Sequence, residues 1–84
     1  MYEVLVERRA ERDLKRLSAD VFGRIVEAIR ALADNPRPVG CKKLAGSDKD
    51  WRVRVGDYRV LYEIEDQVRV VRVMRVRHRR DAYR

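Results

Sequence analysis

Apolar and polar residues follow two different rhythms along the chain. Tyr2–Val6 alternates over a few positions and predicts a short strand. From about Arg8 the spacing becomes helical: Ala10, Leu14 and Leu17 recur among charged residues and predict a first amphipathic helix. Ser18 or Asp20 can cap a second helix, since either side chain can accept from an orphan backbone amide. Phe22, Ile25, Val26, Ile29, Leu32 and Ala33 form its apolar stripe. Asn35-Pro36 ends it, because the residue before a proline is pushed out of helical geometry. The two helices are joined tightly, which predicts an antiparallel helical hairpin.

Residues 35–50 hold Pro36, Pro38, Gly40, Gly46 and Ser47 and read as a loop. The rhythm then returns to a period of two. Trp51–Val55 alternates strictly, Gly56-Asp57 forms a two-residue turn, and Tyr58–Ile64 alternates again. Glu65-Asp66-Gln67 is a second turn, and Val68–Val76 a third strand. The predicted order is β-α-α-β-β-β. It describes an α+β fold, an antiparallel sheet with a two-helix hairpin packed on one face. The 84 residues fit a single domain, 1–84.

Side chains of a strand point alternately to opposite faces, so the hairpin sorts its own residues. A two-residue turn at 56–57 pairs Val55 with Tyr58, Arg54 with Arg59, Val53 with Val60 and Arg52 with Leu61. Trp51, Val53, Val55, Tyr58, Val60, Tyr62 and Ile64 then share an apolar face under the helices. Arg52, Arg54 and Arg59 share the other face, with Arg54 and Arg59 directly opposed. Like charges in that position destabilise a sheet. They make sense if a phosphate or carboxylate sits between them. The bland alternative is a solvated face balanced by Glu63. The third strand depends on its turn: three residues would put Arg69, Arg75 and Arg77 on the cationic face and Arg72 on the apolar one. Two residues would invert this.

Charge sharpens the picture. Lys plus Arg is 21 against 14 Asp plus Glu, a net charge of +7, and 17 of the cations are arginine. Arginine presents a planar fork of donors that matches phosphate. Residues 1–42 are nearly balanced at +2, whereas the last sixteen, 69–84, carry seven Arg and one Asp. A polyanion or an acidic protein is the expected partner. The arginines and Lys15 of the first helix are interleaved with Glu7, Glu11 and Asp13, and intrahelical pairs are expected to account for most of them. Trp51 reads as core rather than as a base-stacking platform, and Lys42 and Lys43 as loop lysines that could touch RNA.

The single Cys41 and single His78 leave no disulfide framework and no ordinary Cys/His zinc site. No cofactor is expected. No apolar run is long enough to span a bilayer, and Met1–Arg9 lacks the character of a signal peptide. A cytoplasmic location without membrane contact follows as the expectation.

The element order, the segment KKLAGSDKDWRVRVGDYRVLYEI and the ending RVRHRRDAYR resemble the RelE/ParE toxin superfamily of toxin–antitoxin systems. The likeness covers essentially the whole chain and is strongest over residues 42–83. The tyrosine near the C-terminus favours the RelE-like branch. The resemblance implies a ribosome-dependent, metal-independent endoribonuclease, an mRNA interferase that cleaves mRNA in the A site by attack of the ribose 2′-OH on the adjacent phosphate. It implies catalytic roles for Arg52, Arg54, Arg59, Arg79 and Tyr83. Arg75, Arg77, Arg80, Lys42 and Lys43 would bind RNA. It also implies an acidic, RelB-like antitoxin that folds on binding, with the ribosome and its mRNA and rRNA as further partners.

One departure leaves the proton chemistry open. RelE-type toxins often carry lysines where this chain has Arg52 and Arg54, and arginine does not release a proton. The candidates are His78, Tyr83 with a phenol made more acidic by neighbouring arginines, or no discrete base. Two alternatives compete with the nuclease: a ParE-like toxin of the same fold that inhibits gyrase, and a non-catalytic RNA- or ribosome-binding module.

Overall fold

The computed structural model describes residues 1–81. Its elements are β1 (Glu3–Val6), α1 (Arg8–Lys15), α2 (Ala19–Ala31), β2 (Lys42–Lys43), β3 (Asp50–Val55), β4 (Tyr58–Glu65) and β5 (Val70–His78). Ser18 is the residue that caps α2, its Oγ accepting the Val21 amide at 3.4 Å. The α-helix stops at Ala31, and three tighter bonds from Leu32, Ala33 and Asp34 carry the chain to Asn35-Pro36. Ile25, Ile29 and Leu32 of the expected stripe are buried, whereas Phe22 remains 43% exposed on the outer side of the first turn.

The sheet runs β1-β5-β4-β3-β2. The pairing of β3 with β4 is as expected residue for residue, from Val55 with Tyr58 through Arg52 with Leu61. Gly56 takes φ +60, a value that suits the first position of a tight hairpin turn. Two features correct the antiparallel meander. β1 lies parallel to β5, with Val4 opposite Val71 and Val6 opposite Val73, so the sheet is mixed. The loop read over 35–50 contains β2, which sets Lys42 opposite Arg52 and Lys43 opposite Trp51. Both pairings are non-local, and no local residue pattern reports them.

β5 starts and ends later than Val68–Val76, and its turn has neither two nor three residues. Residues 66–69 form a four-residue connection between paired Glu65 and Val70, with Arg69 at φ +54. Farther along, Leu61 opposes Arg75 while Tyr62 opposes Val73, so Met74 is an extra residue in a β-bulge. The bulge resets the alternation. Val71 and Val73 face the core before it and Val76 after it, all nearly fully buried. Arg72, Arg75 and Arg77 therefore all lie on the outer face, which neither expected register allowed.

The helices cover the other face. Ala10 of α1 and Ile25, Ile29 and Leu32 from α2 and its end pack on Val53, Val60, Tyr62, Ile64, Val71, Val73 and Val76. Burying each of these larger apolar side chains contributes roughly 1.5–3 kcal/mol. The loop after α2 is held to the sheet by the Tyr62 hydroxyl, which donates to the Pro36 carbonyl at 2.8 Å. Arg37 stacks 5.0 Å above the Trp51 ring and forks onto Asp66, covering the tryptophan. Trp51 is thus packed, as expected, with a guanidinium on its face.

Asp13 joins helix to sheet. Its carboxylate accepts from Arg75 Nε at 2.9 Å and from the Val76 amide at 2.9 Å, just past the bulge. β1 ends before this point, so the carboxylate takes the place of the missing strand neighbour. Burial alone would raise the Asp13 pKa; the Arg75 hydrogen bond, the Val76 amide and the nearby guanidinium charges outweigh it and hold the carboxyl below its ordinary value. Its contribution is therefore complete above about pH 3.9, the unfolded value, and lost as the pH falls through the lower folded value. Asp13→Ala is expected to cost about 1–3 kcal/mol by leaving a buried amide and Arg75 unanswered. In thermal melts the Tm gap between wild type and Asp13→Asn should be steady from neutral pH to about pH 5 and close on further acidification. A gap that widens in acid would contradict this role.

Candidate functional site

The outer face of the sheet separates its charges. At one end Arg72 reaches Glu7 at 3.2 Å and Glu63 at 3.6 Å. Glu63 is thus engaged with Arg72. At the other end Arg54 opposes Arg59, and Arg59 opposes Arg77, giving one row of three arginines across β3, β4 and β5. The neighbouring row carries Lys42 opposite Arg52 and Leu61 opposite Arg75.

Between the rows lies a shallow depression of about 210 Å³ lined by Gly40, Lys42, Arg52, Arg54 and Arg59, with no acid on its walls. Arg54 Nε donates to the Gly56 carbonyl at 3.2 Å, and Arg59 Nη1 donates to the Tyr58 carbonyl at 3.1 Å. Each guanidinium is thereby oriented through one of its five N–H groups. Such a concavity can hold a phosphate among several forked donors. Gly40 and the β2 pairing bring Lys42 into it. The sequence places Lys42 among the expected RNA-binding residues, but not Gly40 or the pairing that sets Lys42 beside Arg52, because the pairing joins a loop to a distant strand.

The remaining candidates fall in different places. Arg79 is exposed, and its backbone amide donates to the Asp57 carbonyl at 2.8 Å, which sets the start of the tail against the β3–β4 turn beside Arg54 and Arg59. Arg77 is in the arginine row and also borders a second hollow with Arg16 and His78. Arg75 is held by Asp13 in a bidentate ion pair, so its guanidinium has a structural task. Lys43 turns to the face of Trp51 and pairs with Asp48 at 3.5 Å. His78 is set apart from the row: it opposes Tyr58, whose side chain packs against the core, and their rings meet edge to face at 5.3 Å. Its Nδ1 accepts the Arg80 amide at 3.3 Å, which places the neutral ring's proton on Nε2. Arg80 is otherwise exposed, and Tyr83 lies outside the described residues.

Comparison with known proteins places this geometry. The family model of the ParE toxin of type II toxin–antitoxin systems matches residues 4–83. The RelG toxin of Mycobacterium tuberculosis is 38% identical over 99% of this chain and 97% of its own. The chain belongs to the RelE/ParE toxin superfamily. It is a toxin of a type II toxin–antitoxin system. Among solved structures, the RelE–RelB complex of Pyrococcus horikoshii matches with a TM-score of 0.84 at 27% identity, covering 96% of this chain and 98% of that one. The RelBE2 toxin–antitoxin complex of Mycobacterium tuberculosis matches with a TM-score of 0.80 at 31% identity, covering 92% and 96%.

The toxin also has an apolar concavity on its helical side. Val4, Val6, Leu14, Val26, Ile29 and Ala33 line an apolar groove of about 320 Å³ with Arg30 at its edge. Among the described residues no helix is long and apolar enough to cross a membrane. The opposed arginines of the row are expected to destabilise the toxin. Arg59→Thr removes two like-charge contacts, and thermal melts at low salt should show a gain of roughly 0.2–1 kcal/mol. That gain should shrink at 1 M KCl as screening weakens the repulsion. A loss of stability at low salt would show that the arginines are not in conflict.

Proposed function

We propose that this toxin is a ribosome-dependent, metal-independent endoribonuclease that cleaves mRNA in the A site. The observation that carries the reading is the row Arg54–Arg59–Arg77 beside an acid-free depression that also takes in Lys42 and Arg52. A sheet chosen for stability alone would not oppose three arginines. A scissile phosphate among them would relieve their repulsion.

Attack by the ribose 2′-OH on the adjacent phosphorus passes through a phosphorane-like transition state. The hydroxyl loses its proton, the P–O5′ bond breaks, and the leaving 5′-oxygen takes up a proton, leaving a 2′,3′-cyclic phosphate and a 5′-hydroxyl. The equatorial oxygens of the transition state gain negative charge, and fixed guanidinium donors stabilise that charge without reorganising. Arg52, Arg54 and Arg59 form the cradle, and Arg79 closes it from the tail. Tyr83 supplies a flat surface for an unstacked base or takes part in proton transfer. His78, on the helix side with Nδ1 engaged, is not the base in this scheme. The ribosome contributes substrate positioning, an effect that can be worth several kcal/mol.

The partner in the cell is an acidic, RelB-like antitoxin. The apolar groove edged by Arg30 would receive an amphipathic segment of it through i, i+3, i+4 contacts. The family model matched by the chain also bears the ParE name, which keeps gyrase as the competing target.

The decisive assay is cleavage of a defined mRNA on programmed ribosomes with an empty A site, with free RNA as control. Wild type should cut only on the ribosome, and Arg54→Gln and Arg59→Gln should each lose about 10²–10³-fold in rate. Failure of a folded wild type to cut would end the nuclease reading and direct attention to supercoiling by gyrase. In the same assay His78→Gln should keep the wild-type rate within about threefold and an unchanged pH profile. A lost alkaline or acidic limb would restore His78 as the proton carrier.

A further inference from the structure

Two of the three acids expected to neutralise α1 are drawn away from it, while Glu11 stays exposed on the helix. Glu7 pairs with Arg72 and Asp13 with Arg75, both on β5. Among the described residues no ion pair joins Arg9, Arg12 or Arg16 to an acid. These three are exposed, and their spacing of three and four residues puts them on one side of the helix. With Arg75 and the engaged Asp13 they line a shallow hollow of about 220 Å³. Arg16 also borders the adjoining hollow that holds Arg77 and His78, where Asp13 and Asp81 are the acids among more numerous cations. A cationic band thus continues from the arginine row, over the open C-terminal edge of β5, onto α1.

We propose that Arg9, Arg12 and Arg16 form a docking surface for the phosphate backbone of double-helical RNA, separate from the depression on the sheet. The chemistry of the hollow selects a nucleic-acid duplex, and the choice of RNA rests on the nuclease reading above. Its walls hold no apolar residue, whereas a stable protein interface has a desolvated apolar centre. It holds no aromatic ring either, and single-stranded RNA is bound by stacking bases on aromatic side chains. Forked cations at helical spacing, with nothing to read a base, fit the regular phosphates of a duplex. The carboxylate of Asp13 does not repel them, because it is turned to Arg75 and the Val76 amide.

The test is binding of a 20-base-pair RNA duplex by fluorescence anisotropy across a KCl series. It uses wild type, the triple variant R9Q/R12Q/R16Q, and a control of equal charge change, R24Q/K49Q/R69Q, at exposed cations elsewhere. The α1 variant should lose at least tenfold in affinity at 100 mM KCl. Its plot of log Kd against log salt should flatten by about 2–3, close to one unit per lost phosphate contact. The control should stay within threefold of wild type, and all three proteins should melt at similar temperatures. Wild-type affinity in the α1 variant overturns the assignment, and so does an equal loss in the control, which would make net charge the whole effect. A polyglutamate 20-mer that binds wild type as tightly as the duplex, and is lost in parallel with it, would also overturn it and make α1 a surface for an acidic protein. Duplex binding is read without ribosomes or cleavage, so it can hold or fail independently of the nuclease proposal.

Discussion

The two-sidedness of the β3–β4 hairpin governs the rest of the molecule. A two-residue turn fixes its register, and burial of Val53, Val60, Tyr62 and Ile64 under the helices fixes which face is inside. Inverting its faces would put charged side chains, Arg52, Arg54, Arg59 and Glu63 among them, into the core, at a cost of several kcal/mol per unpaired charge. Once the inner face is set, Arg52, Arg54 and Arg59 have no choice of side. The cationic depression follows from the hydrophobic effect acting on the opposite face.

The acids are then distributed so that this end of the sheet stays cationic. Glu7, Glu63 and Asp13 are all drawn to β5, where they hold Arg72 and Arg75. Asp66 ties Tyr2 and Arg37 together at the far turn, and hydrogen bonds from Arg37 and Tyr2 lower its carboxyl pKa to about 2. These contacts join elements distant in sequence: helix to sheet, N-terminus to turn, loop to strand. As largely exposed pairs most contribute modestly to stability. Their larger effect is on geometry, because each carboxylate placed at a junction is absent from the arginine row.

The same economy keeps like charges out of the scaffold. The core is small, valine-rich and nearly closed to solvent, and Asp13 completes the hydrogen bonding of β5 where β1 runs out. Repulsion is confined to the outer face at the sheet's open end, where Arg54 is exposed and Arg59 and Arg77 are half-buried, and where an anion can remove it. A fold of this size has little stability to lose, so like charges are tolerable only on a surface that solvent reaches.

The sequence by itself determined the helices, the hairpin register, the inner face and the membership of Arg52, Arg54 and Arg59 in one cluster. Each of these depends on short-range periodicity or on a turn of known length, and such local rules can be read one residue after another. It also supported the superfamily through motifs at 42–64 and 75–83. Tertiary structure alone decided the rest. Met74 sits in a bulge that puts Arg72, Arg75 and Arg77 on one face, although unbroken alternation would divide them. Lys42 enters the depression only because β2 pairs with β3, and β1 closes the sheet in parallel because its valines face the same core as β5. Glu7 and Asp13, expected to serve their own helix, serve the strand beneath it. Those outcomes depend on which distant groups meet once the core is buried, and contact between distant groups is set by packing in three dimensions, which periodicity along the chain does not encode.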